Sequence, residues 1–286
     1  VKSRQGKAGF PRFQNKQRYN SFTFAQSGFS ISDNRLTLSK IGKVKIKLHR
    51  AIVGKVKTLT VSRDSCGKWF ACFSVETAKE ILEPTNKSVG IDVGISTFAT
   101  LSDGIEIDNP RFLKTDEKIL ATAQRRLSKQ QKGSNERHKK RKIVAKIHNR
   151  IKNKRTNFVH QVSRFLVNSY DVLVFEDLNI SGMMKNHCLA RSIADVSWSQ
   201  TIEYTSYKAE NAGKKMLKVR PNFTSQDCSN CGHRQKMPLE LRLYECVNCH
   251  ISIGRDINAA INIKRLGLES LGCALEATTK QGLVVE

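Results

Sequence analysis

Ser88-Val89-Gly90-Ile91-Asp92-Val93-Gly94 is a short apolar run with one acid at its centre. Val89, Ile91 and Val93 read as a buried strand. A carboxylate inside such a strand is costly unless it binds a cation or pairs with a base. Downstream, Thr97 to Leu101, a turn at Ser102-Asp103-Gly104, and Ile105-Glu106-Ile107 complete a three-stranded meander. Tyr170 to Asp177 reads as a second buried strand, of the parallel type, which ends in acid at Glu176 and Asp177. Period-two alternation sends those two carboxylates to opposite faces. A third acid, Asp256, stands at the start of a last helix expected over Arg255 to Leu266 and closed by Gly267. Asp256 alone could merely complement the helix dipole, and Glu176-Asp177 alone could be the solvated end of a strand. Together Asp92, Glu176 and Asp256 could hold two Mg²⁺ about 3.5 to 4 Å apart, the arrangement that cleaves phosphodiesters.

Just ahead of Asp256 the chain reads Cys228-Ser229-Asn230-Cys231, fourteen residues, then Cys246-Val247-Asn248-Cys249. Two tight Cys-x-x-Cys turns suit a closed tetrahedral zinc of four thiolates, which leaves no open position and is therefore structural. His233 and His250 adjoin the knuckles, but four sulfurs already fill the tetrahedron.

From Ser21 to Thr77 short apolar and polar segments alternate, as in Lys43-Val44-Lys45-Ile46-Lys47-Leu48, and predict antiparallel strands. Lys43, Lys45 and Lys47 would be solvated or would line a nucleic-acid groove. Glu83 to Lys87 reads as a linker. From about Asp116 to Val167 the pattern is helical and basic with a break at Gly133-Ser134, and between Arg125 and Arg155 the only acid is Glu136. A one-sign run of that length fits phosphates better than a solvated face, which would carry mixed i,i+4 pairs. Arg125, Arg126, Lys139, Lys140, Arg141, Lys142, Lys146, Arg150, Lys154, Arg155 and Arg255 are the expected nucleic-acid contacts. Ser197-Trp198-Ser199-Gln200 resembles a capping box for a helix to about Asn211, with Gly213 past its end, and Lys214 to Val219 reads as another strand.

The 286 residues carry 50 Lys and Arg against 25 Asp and Glu, a formal charge of +25, so a polyanion is the expected partner. No apolar run of about 18 residues could span a bilayer, and no signal peptide is visible. Four of the eight cysteines have metal-knuckle spacing and the rest are scattered, which favours a reducing, cytoplasmic setting. The chain opens at Val1 inside a basic stretch and reads as the remainder of a longer protein.

Val89-Gly90-Ile91-Asp92-Val93-Gly94, Val174-Phe175-Glu176-Asp177-Leu178-Asn179, Thr224-Ser225-Gln226 before Cys228-Ser229-Asn230-Cys231-Gly232, and Arg255-Asp256-Ile257-Asn258-Ala259-Ala260-Ile261-Asn262-Ile263 resemble the TnpB family. These are OrfB-type proteins of bacterial and archaeal insertion sequences, RNA-guided nucleases related to type V CRISPR effectors. The resemblance runs from Gly9-Phe10-Pro11-Arg12-Phe13 to about Leu266. It implies an α/β fold: an RNase H-like, RuvC-type mixed-sheet nuclease domain, an N-terminal antiparallel β-barrel-like domain, and an inserted zinc ribbon. The corresponding segments are 1–85 (nucleic-acid-binding, wedge-type), 86–222 (nuclease, with a basic helical insertion at about 116–167), 223–251 (zinc ribbon, target binding) and 252–286 (final nuclease segment and tail). It also implies a Mg²⁺-dependent DNA endonuclease with Asp92, Glu176 and Asp256 as its triad, a guide RNA from the element's end, a DNA target and a companion transposase. Family members usually carry a helical segment before the Gly9 motif that grips RNA, and this sequence shows none. Two other readings stay open: a nuclease-silent RNA-guided repressor, which has no need of three acids, and a transposase that performs strand transfer itself.

Overall fold

The computed structural model describes residues 19–238 and 240–281, so the Gly9 to Phe13 motif lies outside the described residues. The chain divides into two compact units. One comprises the chain up to Ala78 with Leu120–Asn149, and the other Lys79–Ile119 with Arg150 onward.

In the first unit the alternating segments form strands β1 (Ser21–Ala25), β2 (Phe29–Ser32), β3 (Arg35–Leu38), β4 (Gly42–Lys45), β5 (Lys55–Arg63) and β6 (Trp69–Glu76). They make two three-stranded antiparallel sheets, ordered β1-β5-β6 and β2-β3-β4. Leu36, Leu38 and Leu59 are buried between the sheets, with Phe24, Phe29, Ile31 and Phe73 packed around them. All of β4 is exposed, Val44 included, so Lys43 and Lys45 sit on a solvated edge strand, where lysines discourage edge-to-edge pairing.

The second unit is built on a sheet ordered β11-β10-β7-β8-β9. Strands β7 (Ser88–Val93), β8 (Thr97–Leu101) and β9 (Glu106–Asp108) form the antiparallel meander. Asp171 accepts hydrogen bonds from the Thr85 and Asn86 amides at 2.6–3.0 Å and fixes the entry to β7. Helices α1 (Phe112–Ser128) and α2 (Asn135–Ser169) follow, separated by Gly133 at φ +88°. Strand β10 (Val172–Glu176) runs parallel to β7, and after α3 (Ile180–Met183), α4 (Ala190–Val196) and α5 (Trp198–Asn211) comes β11 (Lys215–Val219), parallel to β10. A two-stranded ribbon, β12 (Leu243–Glu245) and β13 (Ser252–Gly254), precedes α6 (Arg255–Gln281).

Odd-numbered residues of β7 and β10, namely Val89, Ile91, Leu173 and Phe175, join Leu166, Trp198 and Ile202 in the main core. Even-numbered ones face α6, where Val174, Val219 and Ile263 form a smaller cluster. The sheet thus lies between α2, α4 and α5 on one side and α6 on the other, as mixed sheets require when both faces are apolar.

Two local expectations need correction. Gly267 does not end the last helix; it sits inside α6, and a Cβ there would meet Val174 methyls at 2.4 and 2.5 Å. Its smallness serves close packing rather than termination. Ser197 does precede α5, but at φ 62°, ψ 40° its side chain caps nothing, and it acts as the left-handed joint that separates α4 from α5. Gly213, at φ +71°, takes the expected place past the end of α5.

The tightest approach is at Gly90, where a Cβ would stand 2.0 Å from the Ala260 carbonyl oxygen and 2.5 Å from the Lys264 nitrogen. Neither backbone atom can step aside without moving α6. Gly90→Ala is expected to cost about 3 kcal/mol, the upper end for overpacking, in denaturant melts. Gly104→Ala, at φ +89° with open space around it, should cost only about 1 kcal/mol of left-handed strain, and equal losses would mean that α6 packs elsewhere.

Candidate functional site

The register Ile91↔Phe175 places Asp92 and Glu176 side by side on neighbouring parallel strands, both on the α6 face. Asp256 enters from the first turn of α6. Burial is the largest influence on Asp92, followed by the negative charges of Glu176 and then Asp256, and together they push its pKa from the ordinary 3.8 up to about 8. Burial also raises Glu176, while a hydrogen bond from Thr224 Oγ1 to Glu176 Oε1, at 2.5 Å, pulls the other way. Asp256 lies 3.6 Å from both the Arg242 and the Arg255 guanidinium. The three predicted carboxylates therefore share one electrostatic site. Asp177 does not belong to it: it points away, exposed, 3.7 Å from Lys218, and borders a cleft of about 560 Å³ with Glu203 and Glu210. Such a concentration of acid, with its central member pushed up by burial first and by its neighbours second, marks a place for a cation or a transferred proton.

Thr224 was not evident as a site residue in the sequence, although it heads the Thr224-Ser225-Gln226 stretch of the resemblance. Only the fold shows that the loop after β11 brings its hydroxyl beside Glu176.

Cys228, Cys231, Cys246 and Cys249 present four sulfurs within 4.8 Å of one another, with Cys228 to Cys249 and Cys231 to Cys246 at 3.6 Å. A tetrahedron with metal–sulfur bonds of about 2.3 Å has edges of about 3.8 Å, so the donors fit a metal ion. Among the described residues this is the one cluster so tight, and Asp92, Glu176 and Asp256 do not meet the same spacing. Gly232 at φ +75° and His250 at φ +57° close the two knuckles with the same left-handed turn. Neither His233 nor His250 joins the sulfurs. Burial holds the Cys228 thiol up, at about 11, whereas hydrogen bonds from Asn230 and the Ile251 backbone bring Cys249 down to about 6.

The expected phosphate contacts divide. Arg125, Arg126, Lys139, Arg141, Lys142, Lys146 and Arg150 are exposed along α1 and α2, with Lys140 half-buried, and Lys139 pairs with Glu136 at 2.7 Å. Lys154 and Arg155 are engaged inside the fold: Lys154 meets the buried Asp116 at 2.7 Å, and Arg155 meets Asp195 at 2.8 Å. Arg255 turns inward too, towards the Pro238 and Leu241 carbonyls at 3.3 Å.

The raised value of Asp92 has a thermodynamic consequence. Between about pH 4 and pH 8 the native chain keeps a proton that the unfolded chain has released, so Asp92 lowers stability as pH rises across that window. Asp92→Asn should therefore melt at a higher temperature than wild type at pH 8 in metal-free buffer, by an amount worth on the order of a few kcal/mol. The difference should close towards pH 4, and a variant no more stable than wild type at pH 8 would contradict the crowding of charge described above.

Residues 71–187 match the family model OrfB_IS605, described as "Probable transposase", and residues 198–263 match the "Cas12f1-like, TNB domain". A protein of Streptomyces pristinaespiralis named "Putative RNA-guided DNA endonuclease" is 36% identical over 92% of this chain and 67% of its own length. The Escherichia coli K12 protein "Putative RNA-guided DNA endonuclease InsQ" is 33% identical over 93% of this chain and 71% of its own. In solved structures the fold recurs in a Cas12f1-sgRNA-target DNA complex with TM-score 0.52 and 21% identity, over 73% of this chain and 45% of the effector. With two relatives above 30% identity matched over most of the chain, and the cysteine cluster and acids standing where the motifs put them, the chain belongs to the TnpB family of OrfB-type insertion-sequence proteins.

Proposed function

We propose that the chain is an RNA-guided, metal-dependent DNA endonuclease whose catalytic carboxylates are Asp92, Glu176 and Asp256. The observation that carries this reading is the convergence of three acids on one face of the sheet, with Asp92 held near pKa 8 by burial and by the other two. Acids kept together at such a cost suit hard cations with oxygen ligands, Mg²⁺ above all. Bound there, two such ions would activate the attacking water and stabilise the leaving oxygen of a phosphodiester. The chain's part is to hold the ions on Asp92, Glu176 and Asp256, with Thr224 fixing the Glu176 rotamer. The exposed cations of α1 and α2 supply affinity for the phosphates of guide and target. The cysteine set fits a structural zinc. Relatives named as RNA-guided DNA endonucleases support the substrate class.

The test is cleavage of a matched DNA by the protein loaded with its guide RNA in Mg²⁺. Asp92→Ala, Glu176→Ala and Asp256→Ala should each reduce cutting to background while DNA binding persists, and Asp177→Ala should cut nearly as wild type. Full cutting by Asp92→Ala would sink the assignment. Because one matching family is described as a transposase, products should also be checked for joined ends, which would shift the reaction from hydrolysis to strand transfer.

A separate expectation concerns zinc. Elemental analysis should find one zinc per chain, and Cys228→Ser should lose it together with protease resistance of the ribbon, since zinc-binding energy is also folding energy there. Well-folded protein without zinc would refute this.

A further inference from the structure

Asn258 and Asn262 are the most deeply buried amide side chains around the site, at 0% and 1% exposure, one helical turn apart on α6. Buried amides survive only with their partners made, and here, apart from Arg265, which donates to Asn262 Oδ1 at 3.3 Å, the partners belong to the segment around the first cysteine knuckle. Asn262 Nδ2 donates to the Thr224 carbonyl at 2.9 Å and to the Asp227 carbonyl at 2.6 Å. Asn258 Nδ2 donates to the same Asp227 carbonyl at 2.8 Å, and its Oδ1 accepts from the Ser229 amide, next to Cys228, at 2.8 Å. Thr224, buried at 5% exposure, sends its own hydroxyl to Glu176. The chain of contacts thus starts at Ser229, beside Cys228, passes through two asparagines on the helix whose first turn carries Asp256, and ends on Glu176.

We propose that Thr224, Asn258 and Asn262 form a positioning clip that makes the placement of Glu176 and Asp256 depend on the metal-loaded state of the cysteine cluster. The inference rests on the reading of the carboxylates as a cation site. Residues 223–229 carry only an isolated bridge, Asp227 opposite Arg234, whose hydrogen bonds use the Cys228 amide and the Gln226 carbonyl, so the Thr224 and Asp227 carbonyls are left to the two asparagine amides. Fixing Thr224 selects the Glu176 rotamer from one side. Clamping α6 at Asn258, within its first turn, sets where Asp256 projects from the other. Partners of this kind, behind the groups that touch a metal, commonly govern affinity by about 10- to 100-fold.

The experiment is titration of the full-length chain with Mn²⁺, followed by the electron paramagnetic resonance of the free ion, with zinc content measured in parallel. Wild type and Asp92→Ala first establish how much binding belongs to the carboxylates. Thr224→Val, close in shape but lacking the hydroxyl, should weaken that binding about tenfold with zinc content unchanged, and Thr224→Ser should restore it. Protein stripped of zinc by a chelator and dialysed should also bind Mn²⁺ more weakly. In the Thr224→Val background stripping should cost far less, because two lesions on one route do not add. Equal losses in both backgrounds, or wild-type affinity in Thr224→Val, would overturn the clip while leaving the carboxylate site intact. Mn²⁺ binding indifferent to Asp92→Ala would instead overturn the carboxylate reading, and the clip's purpose with it.

Discussion

Helix α6 can lie directly on β7 only because residue 90 has no side chain. Backbone there approaches backbone, the Ala260 carbonyl and the Lys264 nitrogen standing where a Cβ would be. The same helix carries a second glycine, Gly267, against Val174 on the next strand. These two close approaches set the height of α6 above the sheet, and with it the reach of Asp256 towards Asp92 and Glu176. A helix pushed outward by a single methyl would still bury Ile263, but its first turn would no longer share a site with the strand carboxylates. The geometry of the acids is a property of a glycine contact that contains no acid.

That geometry is held against an electrostatic cost. The chain carries a formal charge of +25, yet around the acids the recorded pairings are modest: Arg242 and Arg255 approach Asp256 at 3.6 Å, and Glu176 accepts from a hydroxyl. For Asp92, the central member, the charge of Arg255 and the Val93 amide offset part of the burial and of the two like charges. Fifteen of the 50 Lys and Arg lie along α1 and α2, most of them exposed, where water screens them. Lys154 and Arg155 differ, because Asp116 and Asp195 claim them for the fold.

Strand periodicity made much of this legible. The alternation around Asp92 and Glu176 specified the core face, and the separation of Asp177 from Glu176 followed from the same period. The paired cysteine spacing likewise marked a cluster that the fold assembles with its sulfurs at tetrahedral spacing. What stayed hidden depends on partners distant in sequence. A basic run looks uniform until Asp116 and Asp195 are seen to occupy two of its members, and Gly267 looks like a terminator until Val174 is found beneath it. Ser197 has the composition of a cap but the backbone of a joint, since a preceding helix leaves it no extended conformation from which to reach back.

The cysteine cluster raises a question of placement. It is inserted between β11, whose end lies beside Glu176, and α6, whose start carries Asp256, so the insertion interrupts the chain between two of the three acids. An insertion there could have been a source of slack, because thirty-five residues separate Val219 from Arg255. Two features remove it. The Arg255 amide donates to the Arg242 carbonyl at 2.8 Å, which continues the β12–β13 ladder into the first residue of α6. Asn258 and Asn262 then hold the opposite end of the insertion, at Thr224 to Ser229, against the same helix. Both ends of the module are therefore anchored to α6, and the four cysteines gathered between them tie one end to the other.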